Sequence, residues 1–161
     1  MNRVLKISTI LTWINIIIWG LVILSTTVIG ILFHSMALLV IAFLFSVIVL
    51  HAYAVLQLHK SIRNPAIPLS SQTPIGIRFI GFIALFFGFS YLADGFAALQ
   101  NPADLLHMMQ AQLPQLKGAN TASVRAGGVL ALFLGFCISL NVFLNFRLLR
   151  WYYFLRDNAG K

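Results

Sequence analysis

Ionisable side chains are so scarce in the apolar stretches of this chain that each one there is a candidate for chemistry. Glutamate is absent, and the carboxylates are Asp94, Asp104 and Asp157 alone. Of these only Asp94 falls within an apolar run, and Arg125 stands at the start of the next run at a similar expected depth. A charge in hydrocarbon is costly, so one retained there needs a reason. Two chemistries suit this pair. Either Asp94 and Arg125 form an ion pair that clips two helices together, or Asp94 is a proton- or cation-binding carboxylate near the mouth of a path. His51 is the second candidate, because imidazole changes charge near neutral pH. With Asn15, Asn141 and Asn145 at comparable depth, it could join an interhelical hydrogen-bond network, each contact contributing about 1 kcal/mol or less in a membrane.

Other chemistries lack their residues. Haem ligation needs two axial ligands, yet His34, His59 and His107 fall at the edges of runs or in loops and only His51 is well inside one. No His, Cys and carboxylate cluster has zinc spacing, and no Gly-rich loop with a lysine suits a nucleotide. Cys137 is the single cysteine, which excludes an internal disulfide and reads as a small apolar core residue. Ser90 in Gly88-Phe89-Ser90-Tyr91 lacks a second small residue after it and is better read as bonding back to its own helix. No cofactor is expected.

The elements that position these residues are long apolar helices. Apolar residues make up 60% of the 161 and charged residues 9%, with a mean hydropathy of +0.94. A helix needs about 20 predominantly apolar residues to cross ~30 Å of hydrocarbon. Four runs meet that length, roughly 7–33, 36–58, 75–99 and 126–150. The expected fold is therefore an all-α integral membrane protein, one domain of four transmembrane helices arranged as two antiparallel hairpins. The apolar stretch after Arg3 and Lys6 is too long for a signal peptide and lacks a cleavage site, so it reads as a retained span. Between the first two runs stand only His34 and Ser35. Pro65, Pro68 and Pro74 oppose a helix between the second and third. In the last connection, Asn101, Pro102 and Asp104 supply an N-cap, a first-turn proline and a favourable charge. They predict a short amphipathic helix from Pro102 to about Gln112, with Leu105, Leu106, Met108, Met109 and Leu113 toward one side, ended by Pro114.

Basic residues give the expected orientation. Nine of the eleven fall in three tracts: Arg3 and Lys6; Lys60, Arg63 and Arg78; and Arg147, Arg150, Arg156 and Lys161. Lys and Arg concentrate in cytoplasmic segments, so both termini and the Pro-rich loop are expected inside, with Lys117 and Arg125 outside. The expected location is a cell membrane, in particular a bacterial inner membrane. The net charge of +8 is then a topology signal, with anionic lipid as an additional partner. Nucleic acid is not expected, since no basic patch carries interleaved surface aromatics.

Small residues mark expected helix contacts. Gly81, Ala84, Gly88 and Gly95 share a face of the third run, and Gly127, Ala131, Gly135 and Ser139 recur every four residues on the fourth. Such stripes let backbones approach in lipid, either within the bundle or against another subunit. The function expected from all this is a non-catalytic subunit or assembly factor of a larger membrane complex, or a self-associating bundle. The alternative is a small transporter or oligomeric channel. An enzyme is least supported, because no acid/base pair or nucleophile with a partner can be named.

Overall fold

The computed structural model describes residues 2–64, 66–112 and 118–159. Pro65, Leu113, Pro114, Lys117 and Lys161 from the sequence reading lie outside the described residues. Five helices follow in order: α1 (Asn2–Leu32), α2 (Met36–Arg63), α3 (Gln72–Gln100), α4 (Pro102–Gln112) and α5 (Thr121–Ala159). Every regular element among the described residues is helical, and α1, α2, α3 and α5 are long and apolar enough to cross a membrane.

Three of the long helices start or end well outside their apolar runs. Helix α1 begins before Ile7, α2 continues past Leu58 to Arg63, and α5 extends from Thr121 to Ala159 rather than from 126 to 150. Apolarity marks only the part suited to hydrocarbon, whereas a helix ends where a cap satisfies its free backbone groups. Asn120 caps α5 by accepting from the Ser123 amide at 2.9 Å. Asn64 closes α2: its amide donates to the Lys60 carbonyl at 2.9 Å, and its side chain accepts from the Ala66 amide at 3.2 Å. Pro74 falls in the first turn of α3 rather than in the loop, where its missing N–H costs nothing.

Between α1 and α2 the chain turns in three residues, Phe33, His34 and Ser35. His34 takes the left-handed conformation (φ 49°). Its amide donates to the Ile31 carbonyl at 3.2 Å, and the Ser35 amide donates to the Gly30 carbonyl at 2.8 Å. This is the Schellman pattern, with histidine where glycine is usual. Ser35 then caps α2 by accepting from the Leu38 amide.

The described residues pack as two compact units. One comprises the chain up to Leu85 together with the chain from Leu140; the other is Phe86–Ser139. In the first unit Leu5, Val55, Leu58, Ile77, Leu148 and Leu149 form a buried cluster. Trp19 is buried against Phe45, with ring centroids 5.1 Å apart. In the second unit, α3 and α5 approach at glycines. A Cβ on Gly135 would lie 2.6 Å from the Gly88 carbonyl oxygen, and one on Gly95 would lie 2.8 Å from that of Gly128.

Burial is inverted relative to a water-soluble protein. Ser8, Thr12, Asn15, His51, His59, Asn141 and Asn145 are buried, while Ile10, Leu21, Phe43, Phe79, Phe86 and Phe136 are exposed. Ordinary interiors exclude such polar residues unless they are paired.

Candidate functional site

The buried polar residues of the first unit converge into one cluster. Ser8 and Thr12 lie one turn apart on α1, Asn141 and Asn145 one turn apart on α5, and His59 stands near the end of α2. Ser8 donates to Asn145 Oδ1 at 2.6 Å, and Thr12 donates to Asn141 Oδ1 at 3.0 Å. Asn145 Nδ2 lies 2.7 Å from the Asn141 carbonyl and 2.9 Å from Asn141 Oδ1. A backbone carbonyl can only accept, so Nδ2 must be the group facing Asn141, and Oδ1 must face Ser8 and His59.

That orientation fixes the histidine. His59 Nε2 is 3.1 Å from Asn145 Oδ1 and 3.1 Å from Ser8 Oγ. Because Oδ1 cannot donate, Nε2 carries the hydrogen. Its other nitrogen, Nδ1, is 3.3 Å from Thr9 Oγ1. The single Thr9 hydroxyl hydrogen is shared between that nitrogen and the Leu5 carbonyl at 2.7 Å, and Thr9 Oγ1 accepts from the Arg63 guanidinium at 3.0 Å. One connected network thus joins α1, α2 and α5, running from Arg63 at the exposed edge to Asn141 and Thr12 inside. Both lone pairs and both hydrogens of the Asn145 amide are occupied, leaving it nothing to offer a further ligand.

Among the sequence candidates, Asn141 and Asn145 enter this network. Asn15 is buried on the same face of α1, one turn beyond Thr12. His51 is buried but separate. Its ring packs where a Cβ on Gly81 would meet it at 2.9 Å, beside Phe146. Neither of its nitrogens has a hydrogen-bond partner, although the Ile77 backbone is nearby. Gly81 therefore clears space for two rings. Ala84 is fully buried.

Within the second unit Asp94 and Arg125 are both exposed, and no ion pair joins them. Asp94 instead borders a cleft of about 390 Å³ lined by Ala98, Leu105, Met109, Val124 and Ala131 among others. Gly88, Gly95, Gly135 and Ser139 lie in the α3–α5 contact, but Gly127 does not: a Cβ on Gly127 would meet nothing within 4 Å. Gly127 and Ala131 border the cleft, and Gly128 takes the contact in place of Gly127. Steps of four residues turn a helix by about 400°, so a stripe at that spacing drifts off the face. The heptad spacing of Gly81, Gly88 and Gly95 drifts far less.

Sequence reasoning missed Ser8, Thr9, Thr12, His59 and Arg63. The signal was present: Ser8, Thr12, Asn15 and Trp19 repeat at helical spacing on one face of α1. His59 follows directly on the apolar run that ends at Leu58, so hydropathy alone does not distinguish it from a loop residue. Among the described residues no three of His, Cys, Asp and Glu gather as a metal site would require. No family model, curated protein or solved structure matches this chain.

Proposed function

We propose that this chain is a multi-pass membrane protein that acts without catalysis, as a subunit or assembly factor of a larger membrane complex or as a self-associating bundle. Both termini and the loop between α2 and α3 lie inside, in a bacterial inner membrane, with α4 outside. The spans form two antiparallel hairpins. Contacts between positions 8 and 59, 19 and 45, and 30 and 39 support the first hairpin. Contacts of 88 with 139 and 95 with 132 support the second.

One observation carries the subunit reading. In the second unit Ala93 and Ala97 on α3, and Ala122, Ala126 and Gly127 on α5, are exposed. Close helix contact in lipid depends on small residues, which let backbones approach. Gly88, Gly95, Gly128 and Gly135 already serve that purpose between α3 and α5; the alanines and Gly127 are left for another helix. In a Cys137→Ala background, Ala126→Cys should form a disulfide-linked species in membranes, whereas a cysteine in place of exposed Phe136 should not. Equal cross-linking at the two positions would sink the proposal, as would extraction of a lone monomer with no cross-link at either. The mass of the particle extracted in mild detergent then separates a homo-oligomer from a heteromer.

A second reading, a small transporter, draws on the exposed carboxylate of Asp94 beside the largely apolar cleft. Asp94→Asn should then abolish proton- or cation-coupled flux in proteoliposomes while leaving the extracted particle unchanged in size.

A further inference from the structure

The first unit is rich in cations. Its described side chains include Arg3, Lys6, Lys60, Arg63, Arg78, Arg147, Arg150 and Arg156, and no carboxylate. Two of these guanidinium groups, Arg78 from α3 and Arg150 from α5, border one cleft of about 250 Å³. Its remaining lining is Phe82, Phe146 and Leu149. Both arginines are exposed, and neither has an ion-pair partner among the described residues.

Helix geometry orders the cleft along the span. Phe82 follows Arg78 by four residues toward the apolar middle of α3, and Phe146 precedes Arg150 by four toward the apolar middle of α5. On each helix a guanidinium therefore lies about 6 Å, one turn, nearer the end of the span than a phenyl ring. The two rings meet with centroids 5.5 Å apart. Tyr153 sits beside the same entrance, its ring 5.8 Å from the Arg78 guanidinium carbon and 5.0 Å from that of Arg156. A ring face attracts cations without neutralising them, so the positive charge remains available to an outside anion.

We propose that this cleft binds one anionic glycerophospholipid, its phosphodiester between Arg78 and Arg150 and the start of an acyl chain over Phe82 and Phe146. Guanidinium groups match the geometry of phosphate oxygens, and aromatic residues belong at the level of lipid headgroups. A free phosphate would use the cations but gain nothing from the phenyl floor, so the combination selects a lipid. The proposal rests on the membrane reading above and adds to it a defined site.

The full-length protein in mild detergent is titrated with phosphatidylglycerol or phosphatidylcholine, and bound lipid is counted by native mass spectrometry. One phosphatidylglycerol should be retained in clear preference to phosphatidylcholine. Arg78→Gln and Arg150→Gln should each weaken that retention about fivefold, the contribution of one basic residue near an anionic surface. Lys60→Gln removes the same charge outside the cleft and should leave the preference intact. Phe82→Ala should weaken retention of both lipids. Circular dichroism and elution volume matching wild type establish that the variants fold; if either arginine variant misfolds, the lysine replacement at that position carries the test, with more retention than a Gln variant at the partner arginine. Unchanged preference in the double Gln variant, an equal loss in Lys60→Gln, or displacement of the lipid by 10-fold less inorganic phosphate than lipid would overturn the site. Recovery of the wild-type chain in the soluble rather than the membrane fraction of cells would instead refute the membrane reading.

Discussion

Replacing Asn145 tests whether the buried polar cluster holds the helices together. Asn145→Leu keeps the side-chain volume nearly constant, so no large cavity is left to collapse. The two bonds that cross between helices, from Ser8 and from His59 to Oδ1, are lost. The two made by Nδ2 run within α5 to Asn141, and their loss affects the packing of helices little. Interhelical hydrogen bonds in membranes contribute ~0.6 kcal/mol on average and up to ~1.7. The Ser8 hydroxyl can turn to a carbonyl of its own helix, but the His59 N–H keeps only the Ser8 oxygen. The expected loss is about 2 kcal/mol. Leucine brings no compensating transfer gain, because separated helices would still be in hydrocarbon. Stability is measured by titrating purified protein in mild detergent with SDS and following circular dichroism. A double-mutant cycle with Ser8→Ala should return a coupling of about 1 kcal/mol. If Asn145→Leu stays within about 0.5 kcal/mol of wild type, or the coupling is absent, the cluster is not a tie and the argument fails.

Four further substitutions probe other parts of the fold with the same assay. Gly135→Ala puts a Cβ 2.6 Å from the Gly88 carbonyl oxygen, with backbone on both sides, and should cost about 1–3 kcal/mol, whereas Gly127→Ala meets nothing and should be neutral; equal effects would mean that α3 and α5 do not touch there. His34→Gly relieves a left-handed histidine and should stabilise by roughly 1 kcal/mol, so a loss of stability would show that the imidazole makes a compensating contact. His51→Met removes two buried nitrogens that make no hydrogen bond and should be neutral or stabilising by about 1 kcal/mol; a cost above about 2 kcal/mol would reveal a polar role for the ring.

The apolar runs were legible because hydrocarbon length is a counting problem, and the helix identities followed from it. Helix ends were less legible, since Asn64 and Asn120 cap them through hydrogen bonds that hydropathy does not register. Asn141 and Asn145 were recognised as candidates because an amide inside an apolar run stands out. Ser8, Thr9 and Thr12 did not, because a hydroxyl can satisfy itself on its own helix and so carries a weak signal. Pairing of His59 with Asn145 depends on α2 continuing past its apolar run, and a cutoff at Leu58 hid it. Gly127 misled for a geometric reason: spacing identifies a face only as long as its period matches the helix, and one residue along, Gly128 makes the contact.

A positive-inside topology requires only that enough Lys and Arg lie on one side. It is indifferent to which cation is used and to what lies one turn deeper. Yet Arg78 near the start of α3 and Arg147 and Arg150 toward the end of α5, all exposed, each have a phenylalanine four residues deeper: Arg78 with Phe82, Arg147 with Phe143, Arg150 with Phe146, whereas Arg125 near the start of α5 has Val129. On the opposite side of α5, Asn141, Asn145 and Leu148 are buried. Helix α5 thus separates two tasks by face, hydrogen bonds inward and cations over rings outward. Orientation alone would be served as well by lysines over any apolar residue. Recognition of a phosphodiester continuous with an acyl chain needs this pairing, and it is at Arg78 and Arg150 that two such pairs share one cleft.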